Sequence, residues 1–361
     1  MKKNILFFLP VFIRGGAGNA IYKMCKRFDK SKYNLYIISI GPCSYKKELK
    51  KHIKKFYELK TNRAIYSIFA LRKIVNDLNF NKSIFVSNIN YANVITILAL
   101  RKYHDLKIIL SERTAIKELD IYFGIKDFLK KKITKLLVKF LYKKANVVIA
   151  NSKRTSDNLK NLCKIKAETI YSPAFKKFNK KIKKSNAIKK LLTVGRLSEE
   201  KDYETLIHAI NLIKNQKFVL DILGEGKHKN KLLELINRFN LKDKIFLRGY
   251  QKHPEEYFKK ADLYINCSLF EGFPNSVVEA ISFNIPVICS KSHGGINEIL
   301  SNGKGGYFFD SGNHKELANL ISKFLTNQKS FEQKTNYARK KITKFNILNS
   351  VNRYEKIFKK L

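Results

Sequence analysis

A chain of 361 residues, 44% of them hydrophobic, exceeds one typical core and can fill two, so it reads as a globular protein of two domains. Its formal net charge of +44, heavier in residues 1–180 than in the rest, attracts polyanions, either nucleic acid or the anionic face of a membrane. A coding bias that places Lys wherever a polar surface residue is tolerated explains the same charge, and composition does not choose between these readings. Five cysteines, odd in number, scattered and without a C-x-x-C pair, argue against a disulfide framework or a zinc site and favour a reducing cytosol. The histidines show no metal-ligand spacing. No run approaches the roughly 18 apolar residues that span a bilayer, so any membrane contact is expected to be peripheral.

Met1 to Ile13 begins like a signal peptide, with two Lys before an apolar run, but Pro10 and Arg14 interrupt it and no small-x-small site follows. It reads as a first strand, Asn4 to Leu9, then a glycine turn, Gly15-Gly16-Ala17-Gly18, then an amphipathic helix from Asn19 to Phe28. The spacing is not G-x-G-x-x-G, so a dinucleotide fingerprint is a poor match. Glycines at a helix start still let a backbone come close to a ligand.

Strand-like runs recur at Leu35 to Ile40, Ser83 to Ser87, Leu106 to Leu110 and Asn146 to Ala150, with helical patterns at Ile65 to Leu78, Ala92 to Tyr103 and Ile125 to Lys144. This alternation predicts a parallel sheet with helices on both faces and ligands beyond the strand carboxyl ends. Ser111-Glu112-Arg113 falls at such an end and is a candidate for acceptor or sugar contact, or a plain loop ion pair. In the Ile125 to Lys144 segment, apolar residues at 125, 128, 129, 133, 136, 137, 140 and 141 trace one helical face and eight Lys occupy the others. The plain reading packs that apolar face on the sheet and leaves the Lys solvated; the sharper one holds a surface helix against anionic lipid.

Ser152 is placed to cap the next helix, Ser172-Pro173 ends a short strand, and residues 174–189, polar and heavily basic, are expected to be a linker. The alternation restarts with a strand, Lys190 to Val194, leading into Gly195-Arg196-Leu197-Ser198-Glu199-Glu200-Lys201. Arg196 and Lys201 on that strand-to-helix loop can neutralise a diphosphate, Arg as a fork and Lys as a point charge. Val219 to Gly226 ends a further strand in glycines, including Gly224; it fails as a phosphate loop, because Asp221 and His228 stand where Gly and Ser or Thr are required. Ile245 to Tyr250 is another strand and turn.

The strand Leu263 to Cys267 enters Ser-Leu-Phe-Glu271-Gly272-Phe-Pro274-Asn275-Ser276-Val-Val-Glu279-Ala. Gly272 and Pro274 stop the strand, Asn275 or Ser276 can cap a helix, and Val277, Val278 and Ile281 give it a buried side. A helix start at a strand's carboxyl end suits a phosphate, and ionised Glu271 and Glu279, which only accept hydrogen bonds, suit a ligand's hydroxyl groups. Phosphates and hydroxyls together describe a nucleotide sugar. The competing local reading is a capping box, Ser276-x-x-Glu279, with Glu271 a solvated loop acid. Pro286 to Ser290 then precedes His293-Gly294-Gly295-Ile296-Asn297-Glu298, a helix start or a glycine cap. Helical patterns at Lys315 to Leu325 and Ser330 to Phe345 lead to Ile347 to Leu361.

The stretch E-G-F-P-N-S-V-V-E-A resembles the E-x(7)-E signature of the retaining, family-4-type glycosyltransferases, and V-G-R-L-S-x-x-K resembles the pair with which that family holds the donor's diphosphate. The resemblance covers nearly the whole chain. It implies an α/β protein of two Rossmann-like domains facing a central cleft, the GT-B architecture: residues 1–173 on the acceptor side, 190–345 on the donor side, and 346–361 a helix crossing back to the first domain. It implies that Glu271 contacts the donor sugar, that Glu279 contacts the ribose, and that Arg196 and Lys201 hold the diphosphate. Gly15 and Gly16 match a family loop that meets the donor's phosphates, Gly224 edges the nucleotide, and Gly272, Asn275 and Ser276 stand at the donor's helix start. Arg113 stands where many members carry a His, and His293 to Glu298 resembles the family's G-G-x-x-E element.

The activity implied is transfer of a hexose or N-acetylhexosamine, UDP-linked, to a glycan or lipid-linked glycan acceptor in surface polysaccharide, lipopolysaccharide or glycoconjugate synthesis, with retained configuration. The leaving phosphate takes the acceptor's proton. The sequence has no D-x-D pair, so neither metal nor cofactor is expected. The expected location is the cytosol, at the inner face of the cell membrane, with peripheral contact to anionic lipid and no specific nucleic acid. Rival readings are a sugar-nucleotide epimerase on the same fold and a polyanion-binding protein with an inactive cleft.

Overall fold

In the computed structural model, which describes residues 2–61, 64–77, 80–179, 188–292 and 294–361, strands and helices alternate along most of the chain. Two compact units result, Met1–Pro173 with Ile347–Leu361, and Ala174–Asn346. Leu78, His293 and residues 180–187 of the expected linker lie outside the described residues. Of the rest of that linker, Phe175 is buried and its N–H donates to the Phe345 carbonyl at 3.0 Å.

The first unit is a seven-stranded sheet of β1 (Lys3–Leu9), β2 (Tyr33–Ser39), β3 (Lys55–Glu58), β4 (Ile84–Asn88), β5 (Lys107–Glu112), β6 (Val147–Ala150) and β7 (Glu168–Thr169). Their order is β3-β2-β1-β4-β5-β6-β7 and every pair is parallel. Because side chains alternate along a strand, β1 feeds two cores at once. Leu6 and Phe8 join the helices Ser67–Asp77, Asn90–Leu100 and Lys153–Cys163 on one face. Ile5, Phe7 and Leu9 join the helices Gly16–Cys25 and Ile347–Lys360 on the other. Both faces covered is what a run of consecutive apolar residues in a parallel strand requires.

The second unit is a six-stranded parallel sheet of β8 (Lys189–Val194), β9 (Phe218–Leu223), β10 (Ile245–Leu247), β11 (Leu263–Asn266), β12 (Val287–Ser290) and β13 (Tyr307–Phe309). Their order is β10-β9-β8-β11-β12-β13. The expected doubly wound class is therefore present in each unit. Strands β3 and β13 were not anticipated: the first is half-buried and set among lysines, and the second is three residues long.

One packing expectation fails. The helix Ile125–Leu141 turns Thr134 and Val138 inward, while Ile125, Phe128, Leu129, Ile133, Leu136 and Phe140 are exposed. Of the predicted apolar row only Leu137 and Leu141 pack against the core, beside Val138 and Tyr142; the other six residues point away from it, and Lys131 pairs with Asp127 at 2.8 Å along the inward edge.

The helix Ile347–Lys360 seals the other core through Phe358, which is fully buried between Phe28, Tyr33 and Tyr354 at ring separations of 5.7, 5.6 and 5.9 Å. Phe358→Ala should lower the unfolding free energy of the first unit by about 3–5 kcal/mol, the cost of a cavity at a site closed on all sides. Urea denaturation followed by circular dichroism measures this, and a change below about 1 kcal/mol would show that the helix is not part of that core.

Candidate active site

In the second unit, β8 and β11 are neighbours, and from them the strand order runs outward in opposite directions. The loops leaving their carboxyl ends diverge at this point, where open α/β sheets bind ligands. The β8 loop carries Arg196 and Lys201; the β11 loop carries Glu271, Gly272 and the start of the helix Asn275–Ser282. Four predicted residues from two distant stretches are thus brought to one edge.

The two loops are joined by an ion pair between the Lys201 ammonium and Glu271 Oε1. The side chains are 18% and 16% exposed, so neither charge is fully hydrated and each needs the other. The Ser268 hydroxyl also donates to Glu271 Oε1, at 2.9 Å. Backbone adds a second tie, from the Leu269 N–H to the Glu200 carbonyl at 2.9 Å. Arg196 is more open, at 75% exposure, and its guanidinium reaches Glu200 Oε1 at 3.0 Å. Burial alone would raise the Glu200 carboxyl, but the Ser198 hydroxyl together with the charges of Arg196 and Lys201 brings it below the ordinary range. Both predicted cations are therefore held by acids rather than standing as a bare pair.

The helix Asn275–Ser282 starts after Pro274, and no side chain caps it. This corrects the capping-box reading: Ser276 lies inside the first turn, and its hydroxyl pairs with the Tyr264 phenol at 2.7 Å. Glu279 sits a helical turn beyond Asn275, on the same side, half-buried. The Asn275 side-chain oxygen is buried without a hydrogen-bond partner, an acceptor left open at the helix start.

Two glycines hold these loops together. Gly294 has φ +129°, and a Cβ there would lie 1.4 Å from the Glu271 carbonyl oxygen; next to it, the Gly295 N–H donates to the Gly272 carbonyl at 3.0 Å. Gly224 has φ +151°, and its Cβ would lie 1.8 Å from the Gly195 carbonyl oxygen. Only glycine permits loops to cross this closely.

Gly15, Gly16 and Arg113 belong to the first unit. Gly15 precedes the helix Gly16–Cys25 in extended backbone, and a Cβ at either glycine would meet nothing within 4 Å. The chain's own packing does not demand glycine at either position. Arg113 leaves β5 and donates from Nε to Asn88 Oδ1 at 2.9 Å and from Nη2 to the Tyr354 phenol at 3.3 Å. The ion pair with Glu112 that the local sequence allowed does not form. Glu112 is fully buried and accepts from the Tyr142 phenol at 2.7 Å, the Thr114 hydroxyl at 2.7 Å and the backbone of Arg113 and Thr114 at 3.0 and 3.1 Å. Burial pushes its carboxyl above the ordinary range, although these four bonds pull the other way.

Residues 14–172 match the family Glycosyltransferase Family 4, and residues 174–341 match Glycosyl transferases group 1. An uncharacterized glycosyltransferase of Methanocaldococcus jannaschii is 30% identical over 306 residues, 77% of this chain and 74% of the relative. The chain is a family-4-type glycosyltransferase. A second relative, the N-acetylgalactosamine-N,N'-diacetylbacillosaminyl-diphospho-undecaprenol 4-alpha-N-acetylgalactosaminyltransferase of Campylobacter jejuni, is 30% identical over 203 residues, 55% of each chain. The crystal structure of Anabaena HepE with UDP and glucose superposes with a TM-score of 0.80 at 18% identity over 99% of both chains. That of an S. aureus TarM mutant with Fondaparinux, alpha-GlcNAc-glycerol and UDP gives 0.79 at 15% identity over 99% of both. The fold of this glycosyltransferase is GT-B.

Several features of the glycosyltransferase escaped the sequence. Glu200 could have been found as an acid one helical turn after Arg196, and Ser268 as a hydroxyl three residues before Glu271. The Glu112 network had no signal beyond the neighbouring Thr114, since Tyr142 and, through it, Asn93 arrive from separate segments. A concavity of about 590 Å³ in the first unit, lined by Pro10, Val11, Ile40, Glu58, Lys60 and Tyr91, also carries no motif.

Gly294→Ala should destabilise the second unit by about 2 kcal/mol, because it combines a disfavoured φ with a backbone collision. An unchanged thermal midpoint would show that the crossing of these loops is dispensable. Glu112 should make the first unit less stable as pH rises. Its folded pKa lies above the unfolded value of about 4.3, so in that window the folded form keeps a proton that the unfolded form has lost. The stability advantage of the wild type over Glu112→Gln is thus greatest below about pH 4 and shrinks as pH rises through the native value. Urea titrations across this range would disprove the buried acid's role if the difference stayed flat.

Proposed function

We propose that this glycosyltransferase moves a hexose or N-acetylhexosamine from a UDP sugar to a glycan or lipid-linked glycan acceptor, with retention at the anomeric carbon. The observation that carries the reading is the Lys201–Glu271 pair at the β8/β11 switch point, a cation for the diphosphate beside an acceptor for the sugar's hydroxyls. The crystallised Anabaena relative with UDP and glucose supports the donor class, and the Campylobacter transferase, named for a diphospho-undecaprenol acceptor, supports a lipid-linked one. The five free cysteines support a reducing cytosol as the place of work.

In this reading the bond between the anomeric carbon and the diphosphate oxygen breaks with its electron pair on the diphosphate. The acceptor oxygen bonds the anomeric carbon from the same face, and its proton passes to the departing phosphate. Arg196 and Lys201 stabilise the charge that develops on the leaving group, aided by the amides after Pro274 and at Gly15 and Gly16. Glu271 orients the sugar, Glu279 the ribose, and the open Asn275 oxygen a donor hydroxyl or amide. Gly272 and Gly224 keep backbone close to the nucleotide. Arg113, fixed by Asn88 and Tyr354, contacts the sugar or the acceptor, and the concavity beside Glu58 and Lys60 receives the acceptor.

Glu271→Gln and Lys201→Met should each lower kcat/KM at least about 100-fold. The double variant should regain stability lost by leaving one charge unpaired, without regaining rate. Assays with radiolabelled UDP sugars separate transfer from epimerisation, because an epimerase releases nucleotide without elongating an acceptor. A chelator should leave the rate unchanged; a large loss would refute the metal-independent reading.

A further inference from the structure

The helix Ile125–Leu141 presents an apolar row to solvent. Ile125, Leu129, Ile133, Leu136 and Phe140 recur at helical spacing and are 80%, 55%, 59%, 56% and 55% exposed. Their positions lie opposite the inward Thr134 and Val138. At about 100° per residue, Lys126 and Lys130 border this row on one side, and Lys132, Lys135 and Lys139 on the other. Some of these lysines lean over aromatic rings rather than away: Lys132 lies 5.5 Å from the Phe128 ring centre, Lys139 5.6 Å from that of Phe140, and Lys130 5.3 Å from that of Tyr91.

Other apolar side chains are exposed at helix starts on this face of the sheet, some beside this row and some across the helix Asn90–Leu100 from it. In a parallel α/β layer each helix starts at the strands' carboxyl edge, and there Phe123 precedes Ile125 while Ile65, Tyr66 and Phe69 open the helix Ser67–Asp77. These four are 38%, 52%, 52% and 69% exposed. Scattered apolar side chains on a surface need no explanation, but a continuous row with a chosen border does.

We propose that this face docks on a bilayer rich in anionic lipid, with the helix lying in the interface plane, its apolar row in the acyl boundary and its lysines among the headgroups. The charge pattern selects that partner. A second copy would bring its own lysine borders against these in a two-fold contact, and nucleic acid would match the lysines while leaving the apolar row in water. A bilayer satisfies both, since Lys stems lie along apolar surface while their heads meet phosphate. Docking would also seat the first unit firmly, because the same helix leads into Tyr142, whose phenol is bonded to the buried Glu112. The proposal stands whichever sugar is transferred.

The chain contains no tryptophan, so one introduced reporter reads the contact directly. Leu136→Trp should shift its emission to the blue on adding phosphatidylcholine vesicles that contain phosphatidylglycerol, and not with phosphatidylcholine alone. Leu233→Trp, at a 39% exposed position in the second unit, should not shift with either. In co-sedimentation, Leu129→Ser/Ile133→Ser/Leu136→Ser and Lys126→Gln/Lys130→Gln/Lys132→Gln/Lys139→Gln should each weaken binding at least about tenfold while keeping the wild-type thermal midpoint. The proposal is overturned if the Leu136 reporter stays unshifted or if both reporters shift alike. It is equally overturned if the serine variant binds as well as wild type, which marks charge adsorption alone, or if the serine change only abolishes a dimer seen without vesicles.

Discussion

Lys201 and Glu271 come from loops that follow neighbouring strands, and the rest of the second unit's site depends on their meeting. With about a sixth of each side chain exposed, the pair adds little net stability over two apolar groups, but either charge left alone would be costly. Its value is placement. The Leu269–Glu200 backbone tie, the Ser268 hydroxyl and the loop crossing at Gly294 all serve to hold that acid at one point relative to the cation. In the proposed transfer, a preorganised pair of this kind would exchange internal partners for ligand groups without first collapsing into water.

The first unit uses the two faces of a strand for a similar end. Ser111 faces the helix Ile347–Lys360 and its hydroxyl pairs with the Tyr354 phenol at 3.0 Å, while Glu112 faces the opposite layer and takes the Tyr142 phenol. Arg113, next in line, shares Tyr354 and Asn88. Its guanidinium is thereby held by the end of β4 and by the helix Ile347–Lys360 together, which a loop residue held by its own turn would not be.

The sheets and the loops at their edges were legible because apolar runs broken by Gly and Pro are local signals. Gly272 and Pro274 stop β11, and Gly195 marks the end of β8, so the site loops are placed by sequence alone. What local pattern cannot carry is direction and partnership. The apolar row from Ile125 to Phe140 was visible as a period, but a period says that polar and apolar groups are segregated, not which side is inward. The inward side is made by Val138 with Leu137 and Leu141 from the edge of the row, and by Thr134 and a Lys131–Asp127 pair, which hydropathy alone would not choose. The cap on the helix Asn275–Ser282 failed for a related reason: Ser276 prefers the Tyr264 phenol, which arrives from β11.

The chain leaves the first unit at Pro173 and re-enters it at Ile347, and the two crossings run side by side where Phe175 pairs with Asn346. The second unit is therefore an insertion whose ends are already joined. On a ribosome it has all its strands before the helix Ile347–Lys360 emerges, whereas the earlier unit must wait with one face of its sheet open. The stretch that follows the second unit closes the core begun before it.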